Sequence, residues 1–362
     1  MPRWQAQDTG SMRDLEYQDY ILQGVSRTFA LTIPQLPEAL RDVVGNAYLL
    51  CRITDTIEDD PALGASQKRE LARMFSSVVE GTVAAQEFAD CLYPLLSDHI
   101  SEAEHELVKN TDRVIRLTHG FNAQQRAAMQ RCVAIMADGM VDYQINKNPH
   151  GLKDLPDMDK YCYYVAGVVG EMLTELFCDY SREIAAHREL MMKLAVSFGQ
   201  GLQMTNILKD IWEDQKRGAC WLPQDIFRDH GFELEDLGKD HHDGGFQDGL
   251  GELIAIAHAH LRNALSYTLL IPRREKGLRK FCFWALGMAL LTLRRINSHR
   301  AYTSGQEVKI SRRSVKATII ATQLTVGSDS MPRLLFNMTA AGLPHSPAFV
   351  IPSDTSATVP LN

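Results

Sequence analysis

Two stretches of the sequence place carboxylates one helical turn apart on a face that also carries other polar side chains. The face of residues 48–59, which we call the first acidic line, carries Tyr48, Arg52, Asp55 and Asp59. The face of residues 203–214, the second acidic line, carries Gln203, Asn206, Asp210 and Asp214. At 100° per residue, each set falls on one side of a helix. Such a face either meets water or binds a cation, and two of them in one helical chain suggest two halves of one site.

The cation that suits these carboxylates is Mg²⁺. Carboxylate oxygens are hard ligands, and Mg²⁺ is often held by one or two of them while water and substrate phosphates complete its shell. Mg²⁺ and nearby basic groups stabilise the charge on a departing diphosphate. If the carbon left behind is allylic, a carbocation forms, which survives only where water is excluded and aromatic faces are near. The two lines therefore indicate prenyl diphosphate chemistry, with a solvated helix surface as the alternative for either line alone.

Three further stretches could complete such a site. Ser26, Arg27 and Thr28 put a guanidinium between two hydroxyls near a helix start, which suits either a phosphate cradle or a simple capping turn. The helix at 165–170 (VAGVVG) has small side chains, which allow close helix packing or leave room for a ligand. The apolar run 281–293 (FCFWALGMALLTL) could form one wall of a dry pocket.

Composition and charge limit the class of protein. The 362 residues are 45% hydrophobic with a formal net charge of -7, which argues against a general nucleic-acid binder. Seven scattered cysteines without a CxxC pair indicate reduced thiols and no zinc cage. The N-terminus lacks the apolar core of a signal peptide, and the run 281–293 is shorter than the roughly 20 residues that span a bilayer. We expect a cytoplasmic protein without a transmembrane helix, either free or at the membrane surface.

Helical periodicity runs through most of the chain and predicts an all-α protein. The expected organisation is a flexible N-terminus at 1–18, a helical domain at 19–335 and a poorly ordered tail at 336–362. No strand followed by a glycine-rich nucleotide fingerprint, no Walker loop and no hydrolase elbow is present in the sequence. The common nucleotide-binding and hydrolase classes are therefore not indicated.

Local signals place several boundaries and loops. Pro37 and Glu38 open a helix that should run to about Asp60, and a loop is expected at 146–159. His241 and His242 lie in a charged, glycine-rich stretch without a third ligand at a useful spacing, so we expect an exposed loop there and no metal site. The basic segment 307–316 (EVKISRRSVK) is either a solvated face or a phosphate-binding flap.

Four stretches, taken together, resemble the squalene and phytoene synthase family, which joins two prenyl diphosphates head to head. They are SRTFA (26–30), YLLCRITDTIEDD (48–60), DKYCYYVAGVVG (159–170) and LQMTNILKDIWEDQ (202–215). They stand in the family order and cover most of residues 20–320. The resemblance implies an isoprenoid-synthase fold, a single large helical bundle enclosing a central cavity.

Within the family, the stretches DTIEDD, YCYYVAG, FCFWALGMALLTL and VKI are similar to those of the branch that makes squalene. The resemblance implies condensation of two farnesyl diphosphates to presqualene diphosphate with Mg²⁺, followed by reduction with NADPH. The water-insoluble product implies a site of action near the membrane surface. The alternatives are a dehydrosqualene, hydroxysqualene or phytoene synthase without the reductive step, and, from another class, a non-catalytic helical assembly protein derived from the family.

The resemblance also implies roles for individual residues. The Mg²⁺ and diphosphate ligands would be Asp55, Glu58, Asp59, Asp210, Glu213 and Asp214. The substrate contacts would be Ser26, Arg27, Thr28, Tyr48, Arg52, Gln203, Asn206, Lys209 and Phe281, the last facing the cationic intermediate. Tyr161 would assist proton removal as the cyclopropane closes. Lys309 and Arg312, together with Arg217, would hold diphosphate or the NADPH phosphates.

Two positions depart from the family pattern. Ala219 stands where many relatives carry an Arg, although Lys216 and Arg217 are close by in the sequence. Leu286 stands where the squalene-forming branch has a polar Gln. Both positions bear on the reductive half of the reaction, so they leave the choice between squalene and a non-reduced product open.

Overall fold

The computed structural model is helical throughout the residues it describes, with one isolated β-bridge between Leu152 and Pro223. It describes residues 7, 9–26, 28–146, 148–238 and 243–352. The all-α prediction is confirmed. Arg27, His241 and His242 lie outside the described residues, so the predictions made for them have no structural counterpart.

The α-helices, in chain order, are α1 (Asp14–Val25), α2 (Phe29–Thr32), α3 (Glu38–Asp59), α4 (Ala65–Glu80), α5 (Ala85–Leu92), α6 (Glu102–Lys109), α7 (Thr111–Gly120), α8 (Ala123–Ile145), α9 (Leu155–Cys162) and α10 (Val168–Tyr180). They continue with α11 (Arg182–Ala185), α12 (Arg188–Lys216), α13 (Gln224–Asp229), α14 (Gly244–Leu270), α15 (Lys276–Ser298), α16 (Gly305–Val308), α17 (Arg312–Thr325) and α18 (Ser330–Thr339). A π-helical segment, Tyr163–Gly167, separates α9 from α10, and short 3₁₀ turns lie at Ile33–Gln35, Tyr93–Leu95, Leu234–Asp236 and Pro347–Phe349.

The chain forms two compact units. The first comprises Met1–Lys147 with Tyr163–Ala185, and the second comprises Asn148–Cys162 with Ala186–Asn362. The expected division into a helical domain at 19–335 and two flanking segments stays a prediction. The first change of unit falls inside the predicted loop 146–159. The second falls between Cys162 and Tyr163, where helical structure continues, so no break in the sequence pattern marks it.

Helix α3 lies at the centre of the first unit and packs against α1, α4, α7, α8 and α10. Its apolar positions Leu49, Ile53 and Ile57 are fully buried because they recur at intervals of four residues on one face. The buried Asn46 donates to the carbonyl of Val114 at 2.9 Å and accepts from the Thr118 hydroxyl at 2.8 Å, so its burial leaves no amide atom unpaired. This packing fixes the rotation of α3 and leaves the first acidic line on its other side.

Helix α12 lies at the centre of the second unit and packs most extensively on α14. Gly201 permits the close approach, since a Cβ there would lie 2.9 Å from the Cβ of His260. One turn earlier, the Ser197 hydroxyl lies 2.7 Å from His260 Nδ1 and accepts from Asn263 at 2.7 Å. Burial lowers the pKa of His260 to about 4, so this imidazole is neutral in the core at physiological pH.

The described parts of both chain ends pack onto helices, which differs from the flexible ends that were expected. Near the N-terminus, Arg113 of α7 donates to the carbonyl of Thr9 at 2.8 Å and pairs with Asp14 at 3.0 Å. Near the C-terminus, Asn263 of α14 donates to the carbonyl of Phe349 at 2.8 Å and accepts from the amide of Ile351 at 2.9 Å. In both cases the partner lies far away in sequence, so composition alone does not reveal it. Residues 353–362 of the predicted tail lie outside the described residues.

A helix also begins inside the loop that was predicted at 146–159. Helix α9 starts at Leu155, and the Asp154 carboxylate accepts from the amide of Asp157 at 3.0 Å. Pro156 is compatible with this start, because the first turn of a helix needs no amide donor. The loop prediction is therefore wrong for Leu155–Asp159.

The connection between α17 and α18 is held by a buried guanidinium. Arg279 of α15 is 1% exposed and donates to the carbonyls of Ile271, Leu269, Val326 and Ser328 at 2.8–3.3 Å. It also pairs with Asp329 at 2.8 Å. One side chain thus satisfies carbonyls at the ends of both α14 and α17.

Replacing Arg279 tests this role. Arg279→Met should lower the free energy of unfolding by about 3 kcal/mol, because buried carbonyls and a carboxylate lose charge-assisted donors. Urea unfolding followed by circular dichroism measures the change. The control is Arg273→Met, because Arg273 pairs with the same Asp329 at 2.6 Å but is mostly solvent-exposed. A loss of equal size in the two variants would contradict the role given to Arg279.

Candidate active site

Arg52 and Asp55 form the middle of the first acidic line. Arg52 Nη1 lies 3.8 Å from Asp55 Oδ2, and Arg52 Nη2 donates to Glu104 Oε1. Burial raises the pKa of Asp55 to about 7; Arg52 opposes this shift, while the charges of Asp59 and Glu104 add to it. Negative charge along this face therefore exceeds what Arg52 neutralises, and a bound cation would be stabilised there.

Glu104 was not identified from the sequence, although it orients Arg52. It caps α6: the Ser101 amide donates to its carboxylate at 3.0 Å and the Ser101 hydroxyl at 2.6 Å. Burial opposes ionisation of Glu104, but these hydrogen bonds and Arg52 bring its pKa below the usual value. The S-x-x-E spacing predicts a helix start at this point. The spacing does not indicate that the same carboxylate reaches a residue 52 positions earlier.

The last three acidic residues of DTIEDD have different surroundings. Glu58 is buried, accepts from Gln144 Nε2 at 2.7 Å, and has a pKa raised by burial and by its acidic neighbours. Asp59 is exposed at the final residue of α3. Asp60 is buried and accepts from the amide and hydroxyl of Ser97 at 2.8 and 2.7 Å. Asp60 therefore closes the helix end, while Asp55 and Asp59 lie partly or fully at the surface of their unit.

Ser26 and Tyr48 meet at the end of α1. Ser26 Oγ accepts from the amide of Phe29 at 2.9 Å, which is the capping interaction considered for this turn. The Tyr48 hydroxyl donates to the carbonyl of Val25 at 3.1 Å, and its ring packs on Phe29 with centroids 5.0 Å apart. Thr28 is exposed at the N-terminus of α2. The polar residues of this turn thus stabilise its backbone.

In the second acidic line, Glu213 is held by the start of α16. Its carboxylate accepts from the amide of Gly305 at 3.0 Å and from the Ser304 hydroxyl at 3.2 Å. Tyr302 anchors this segment on α12, because its buried hydroxyl donates to the carbonyl of Leu208. No local sequence pattern indicates this contact, since Gly305 lies 92 positions after Glu213.

The approach of α16 to this line requires a glycine. A Cβ on Gly305 would lie 2.8 Å from the carbonyl oxygen of Lys209 and 3.2 Å from carboxylate oxygens of both Asp210 and Glu213. The Asp210 carboxylate is partly exposed and hydrogen-bonded to the ammonium of Lys209. Two neighbouring carboxylates are therefore partly compensated, one by backbone and hydroxyl donors and one by a lysine.

The remaining positions of the second line follow the predicted face. Gln203 is half-buried and Asn206 is exposed one turn before Asp210. Asp214 is half-buried, and its carbonyl accepts from the amides of Arg217 and Ala219 at 2.9 and 3.0 Å. These contacts end the helix, since they occupy a carbonyl that would otherwise lack a partner.

The two basic residues near Ala219, Lys216 and Arg217, lie on different sides of the helix end. Arg217, exposed at the end of α12, stands seven residues after Asp210 and therefore on the same side of the helix. Lys216 is displaced from it by about 100°. Ala219 is buried, whereas Lys216 and Arg217 are both exposed.

Tyr161 is buried near the end of α9 in the second unit. Its ring stacks on Trp221 with centroids 4.2 Å apart and planes 7° from parallel. Two residues earlier, burial raises the pKa of Asp159 to about 6. Phe281 is buried near the start of α15, and Leu286 is buried further along the same helix. The Trp221 partner was not identified from the sequence.

The small-sided stretch after Tyr161 is not a regular α-helix. Tyr163–Gly167 is π-helical, a widened turn that frequently occurs at functional sites. Tyr164 from this segment packs against Gly139 of α8, where a Cβ would lie 2.1 Å from the ring. Val165, Ala166 and the following Val169 remain partly exposed in the first unit. The π-helical segment thus packs closely on α8 because Gly139 leaves room for the Tyr164 ring.

The basic segment surrounds the start of α17. Ser311 caps the helix by accepting from the amide of Ser314 at 3.1 Å. Lys309 and Arg312 flank this cap and are exposed, with the Lys309 ammonium 3.5 Å from Gln306 Oε1. Positive side chains at the positive end of a helix dipole suit a phosphate.

Neither acidic line is a preformed metal cage. Over the ranges that the structure describes, His, Cys, Asp and Glu side chains do not gather in groups of three that could enclose a metal ion. The helices in these ranges also fall short of the length and apolar character needed to cross a membrane.

The fold is that of the isoprenoid synthases. The solved structure of TcSQS with the ligand BPH1237 matches with a TM-score of 0.73 at 24% identity, over 90% of this chain and 91% of that chain. A dehydrosqualene synthase with a bound ligand matches with a TM-score of 0.64 at 20% identity, over 86% of this chain and 95% of that chain. At these identities the likeness shows the fold alone, which confirms the predicted isoprenoid-synthase fold.

Sequence comparison gives the family. The model of the squalene/phytoene synthase family matches residues 22–314, so the chain belongs to that family. The squalene synthase of Cyberlindnera jadinii is 29% identical over 85% of this chain and 67% of the relative. The squalene synthase of Saccharomyces cerevisiae is 30% identical over 81% of this chain and 63% of the relative. The chain thus spans about two thirds of the length of these relatives, and the predicted family and branch are confirmed.

Gly305→Ala tests whether α16 positions the second acidic line. The added methyl group should push α16 away from Asp210 and Glu213, and we expect kcat/KM for farnesyl diphosphate to fall about a hundredfold. Consumption of radiolabelled substrate measures this loss. The control is Gly120→Ala at the end of α7, where a Cβ would meet no atom within 4 Å. Full activity of Gly305→Ala would show that α16 is not needed in this position.

Proposed function

We propose that this protein is a squalene synthase. It joins two farnesyl diphosphates head to head to give presqualene diphosphate, then reduces that intermediate with NADPH to squalene. The observation that carries the proposal is the pair of acidic lines on α3 and α12, each with a polar face and incompletely neutralised carboxylates, in a chain of this family. Curated relatives with the name squalene synthase support the same activity.

The donor set fits Mg²⁺ bound together with diphosphate. All of the proposed ligands are carboxylates, namely Asp55, Glu58, Asp59, Asp210, Glu213 and Asp214. Mg²⁺ needs only one or two of these when phosphate oxygens complete its shell, which agrees with carboxylates that do not form a cage among the described residues. Bound Mg²⁺ would supply Lewis-acid stabilisation of the departing diphosphate.

The protein's own groups then bind, orient and shield the substrates. Arg52, oriented by Glu104, would contact diphosphate oxygens, and Lys209 would do the same beside Asp210. Ser26, Thr28 and Tyr48, with Arg27, would contribute further polar contacts near the end of α1. These groups favour ionisation of the substrate because they stabilise charge that develops on the leaving group.

The pocket for the prenyl chains would be lined by polar residues on one side and by aromatic residues on the other. Gln203 and Asn206 would line its polar side, and Phe281 would present an aromatic face to the cation. Tyr161 would take part in proton removal as the cyclopropane ring closes, with its ring held in place by Trp221. Because the stacked ring is buried, its orientation is fixed before substrate binds.

The reductive step would use a separate set of basic groups. Lys309, Arg312 and Arg217 are exposed and suit the phosphates of NADPH, with Arg217 supplying the charge absent at Ala219. The membrane surface is the proposed partner, since squalene leaves the enzyme into an apolar phase. A dehydrosqualene or hydroxysqualene synthase is the second candidate, favoured by Leu286 and Ala219 at the two departing positions.

Product analysis distinguishes these candidates. The protein is incubated with farnesyl diphosphate and Mg²⁺, with or without NADPH, and the products are identified by gas chromatography and mass spectrometry. We expect presqualene diphosphate without NADPH and squalene with it. Asp55→Asn and Asp210→Asn should abolish both products while circular dichroism remains unchanged, because each removes one carboxylate charge.

Each other outcome has a defined meaning. A hydrocarbon that is the same with and without NADPH would replace the proposal with dehydrosqualene synthase. Hydroxysqualene would indicate that water takes the place of hydride. No consumption of substrate would favour the non-catalytic assembly protein, and near-normal activity of either Asn variant would contradict the metal assignment.

Tyr161→Phe tests the proton-transfer role. The ring and its stack on Trp221 are retained, so we expect substrate binding to persist while formation of presqualene diphosphate falls about 10²–10⁴-fold. Tyr163→Phe is the matched control, because its hydroxyl bonds Glu171 at 3.1 Å in the π-helical segment. Unimpaired formation of the intermediate by Tyr161→Phe would disprove the role.

A further inference from the structure

The two helices α17 and α18 expose an unusual amount of apolar surface. Of the nine large hydrophobic side chains that are exposed among the described residues, five lie on these two helices. They are Ile320, Leu324, Met331, Leu334 and Met338, and we call them, with Arg313 and Lys316, the outer face. Leu324 is the most exposed of the five at 81%. A concentration of this kind marks an interaction surface, whereas scattered single residues do not.

The spacing of these residues gives each helix one continuous apolar stripe. Ile320 and Leu324 are four residues apart on α17, and Met331, Leu334 and Met338 follow at intervals of three and four on α18. The short connection 326–329 joins the two helices, and we call the pair the hairpin. Both helices line one cavity with their inner sides, so the exposed stripes lie on the sides turned away from it.

The exposed apolar side chains of the hairpin are not those that line the cavity on its inner side. A cavity of about 340 Å³ lies beneath it, lined from α15 by Leu286 and Leu290 and from the hairpin by Thr322 and Phe336. The buried residues of α17 are Thr322 and Thr325. A surface helix of a water-soluble protein normally turns its apolar stripe towards the core. Here two of the three largest apolar side chains of α17, Ile320 and Leu324, are exposed instead.

The charge on this hairpin is opposite in sign to that of the chain. The net charge of the whole protein is -7, yet residues 308–328 contain four basic residues and no Asp or Glu. Arg313 and Lys316 are exposed, and they stand seven and four residues before Ile320, on its side of the helix. On α18, Arg333 is exposed as well. The two acidic residues that flank this stretch have partners: Asp329 pairs with Arg273 and Arg279, and Glu307 accepts from the hydroxyl of Thr303 at 2.9 Å.

We propose that the outer face docks on a lipid bilayer that contains anionic lipids. Amphipathic helices with apolar and Lys/Arg-rich surfaces lie in the membrane interface, where apolar side chains enter the acyl boundary and basic ones meet anionic headgroups. The positive charge selects this occupant over a second copy of the chain, whose equivalent basic face would repel it. The inference supplies a surface for the membrane partner in the proposed function and rests on that function for its purpose.

Vesicle binding tests the proposal without any need for turnover. The full chain is sedimented with vesicles of phosphatidylcholine alone or of phosphatidylcholine with 30% phosphatidylglycerol. We expect binding to the anionic vesicles that weakens as salt is added, since exposed charges are screened. The double variant Ile320→Ser/Leu324→Ser should bind these vesicles at least tenfold more weakly, because two inserting side chains are lost.

Charge variants and a matched control complete the experiment. Arg313→Glu/Lys316→Glu should remove the preference for anionic vesicles, because the exposed basic groups on the side of Ile320 are replaced by acidic ones. Leu95→Ser is the control, since Leu95 is an exposed leucine of the first unit at 40%. It should bind like the unaltered chain. Circular dichroism of each variant verifies folding.

Three results would overturn the proposal. The first is equal binding of the unaltered chain to both kinds of vesicle or to neither. The second is undiminished binding by the folded outer-face variants, or an equal loss in Leu95→Ser. The third is a dimer in light scattering that Ile320→Ser/Leu324→Ser dissociates, which would make the outer face a contact between copies. Failure of vesicle binding with normal squalene production would leave the proposed function intact.

Discussion

The candidate site depends on one electrostatic constraint. Each acidic line holds several carboxylates close together and partly out of water. Like charges repel and burial disfavours their ionised form, so each acidic line must be compensated by groups from elsewhere in its unit. Gln144 does this for Glu58, and Gly305 with Ser304 does it for Glu213. Compensation is incomplete at Asp55, whose raised pKa reflects burial that Arg52 does not offset. In the proposed function, a bound Mg²⁺ would supply the positive charge that Asp55 and its acidic neighbours lack.

The two lines achieve this compensation by different means. The first uses the side chains of Arg52, within the line itself, and of Gln144 on the long helix α8 of the same unit. The second uses the backbone of a four-residue helix, brought close by a residue without a side chain and anchored by the buried Tyr302. Backbone donors have a fixed direction, so the second line is the more rigidly specified of the two. Side-chain amides and guanidinium groups can adjust when a charged ligand enters.

The helices that bear the two acidic lines were predictable because their sequence signal is local. The face of α3 that holds Asp55 and the face of α12 that holds Asp210 follow from a period of 3.6 residues, and the boundaries of α3 follow from Pro37 and Pro61. The partners of these faces were not predictable in the same way, because Glu104 and Gly305 lie 52 and 92 positions from the residues they contact. The π-helical turn at Tyr163–Gly167 was also missed, since a wheel drawn at 100° per residue cannot represent it.

The hairpin of α17 and α18 is firmly fixed at its turn and weakly packed along its length. Arg279 clamps the turn through several carbonyls, while a cavity lies under the body of both helices. Segments with a low packing density open at a lower free-energy cost, so we expect this hairpin to open more readily than the central helices of the second unit. Its backbone amides should exchange with solvent through openings that leave α12 and α14 folded. The outer face proposed for membrane docking would therefore lie on the more loosely packed helices of the second unit, which would adjust to the bilayer that they meet.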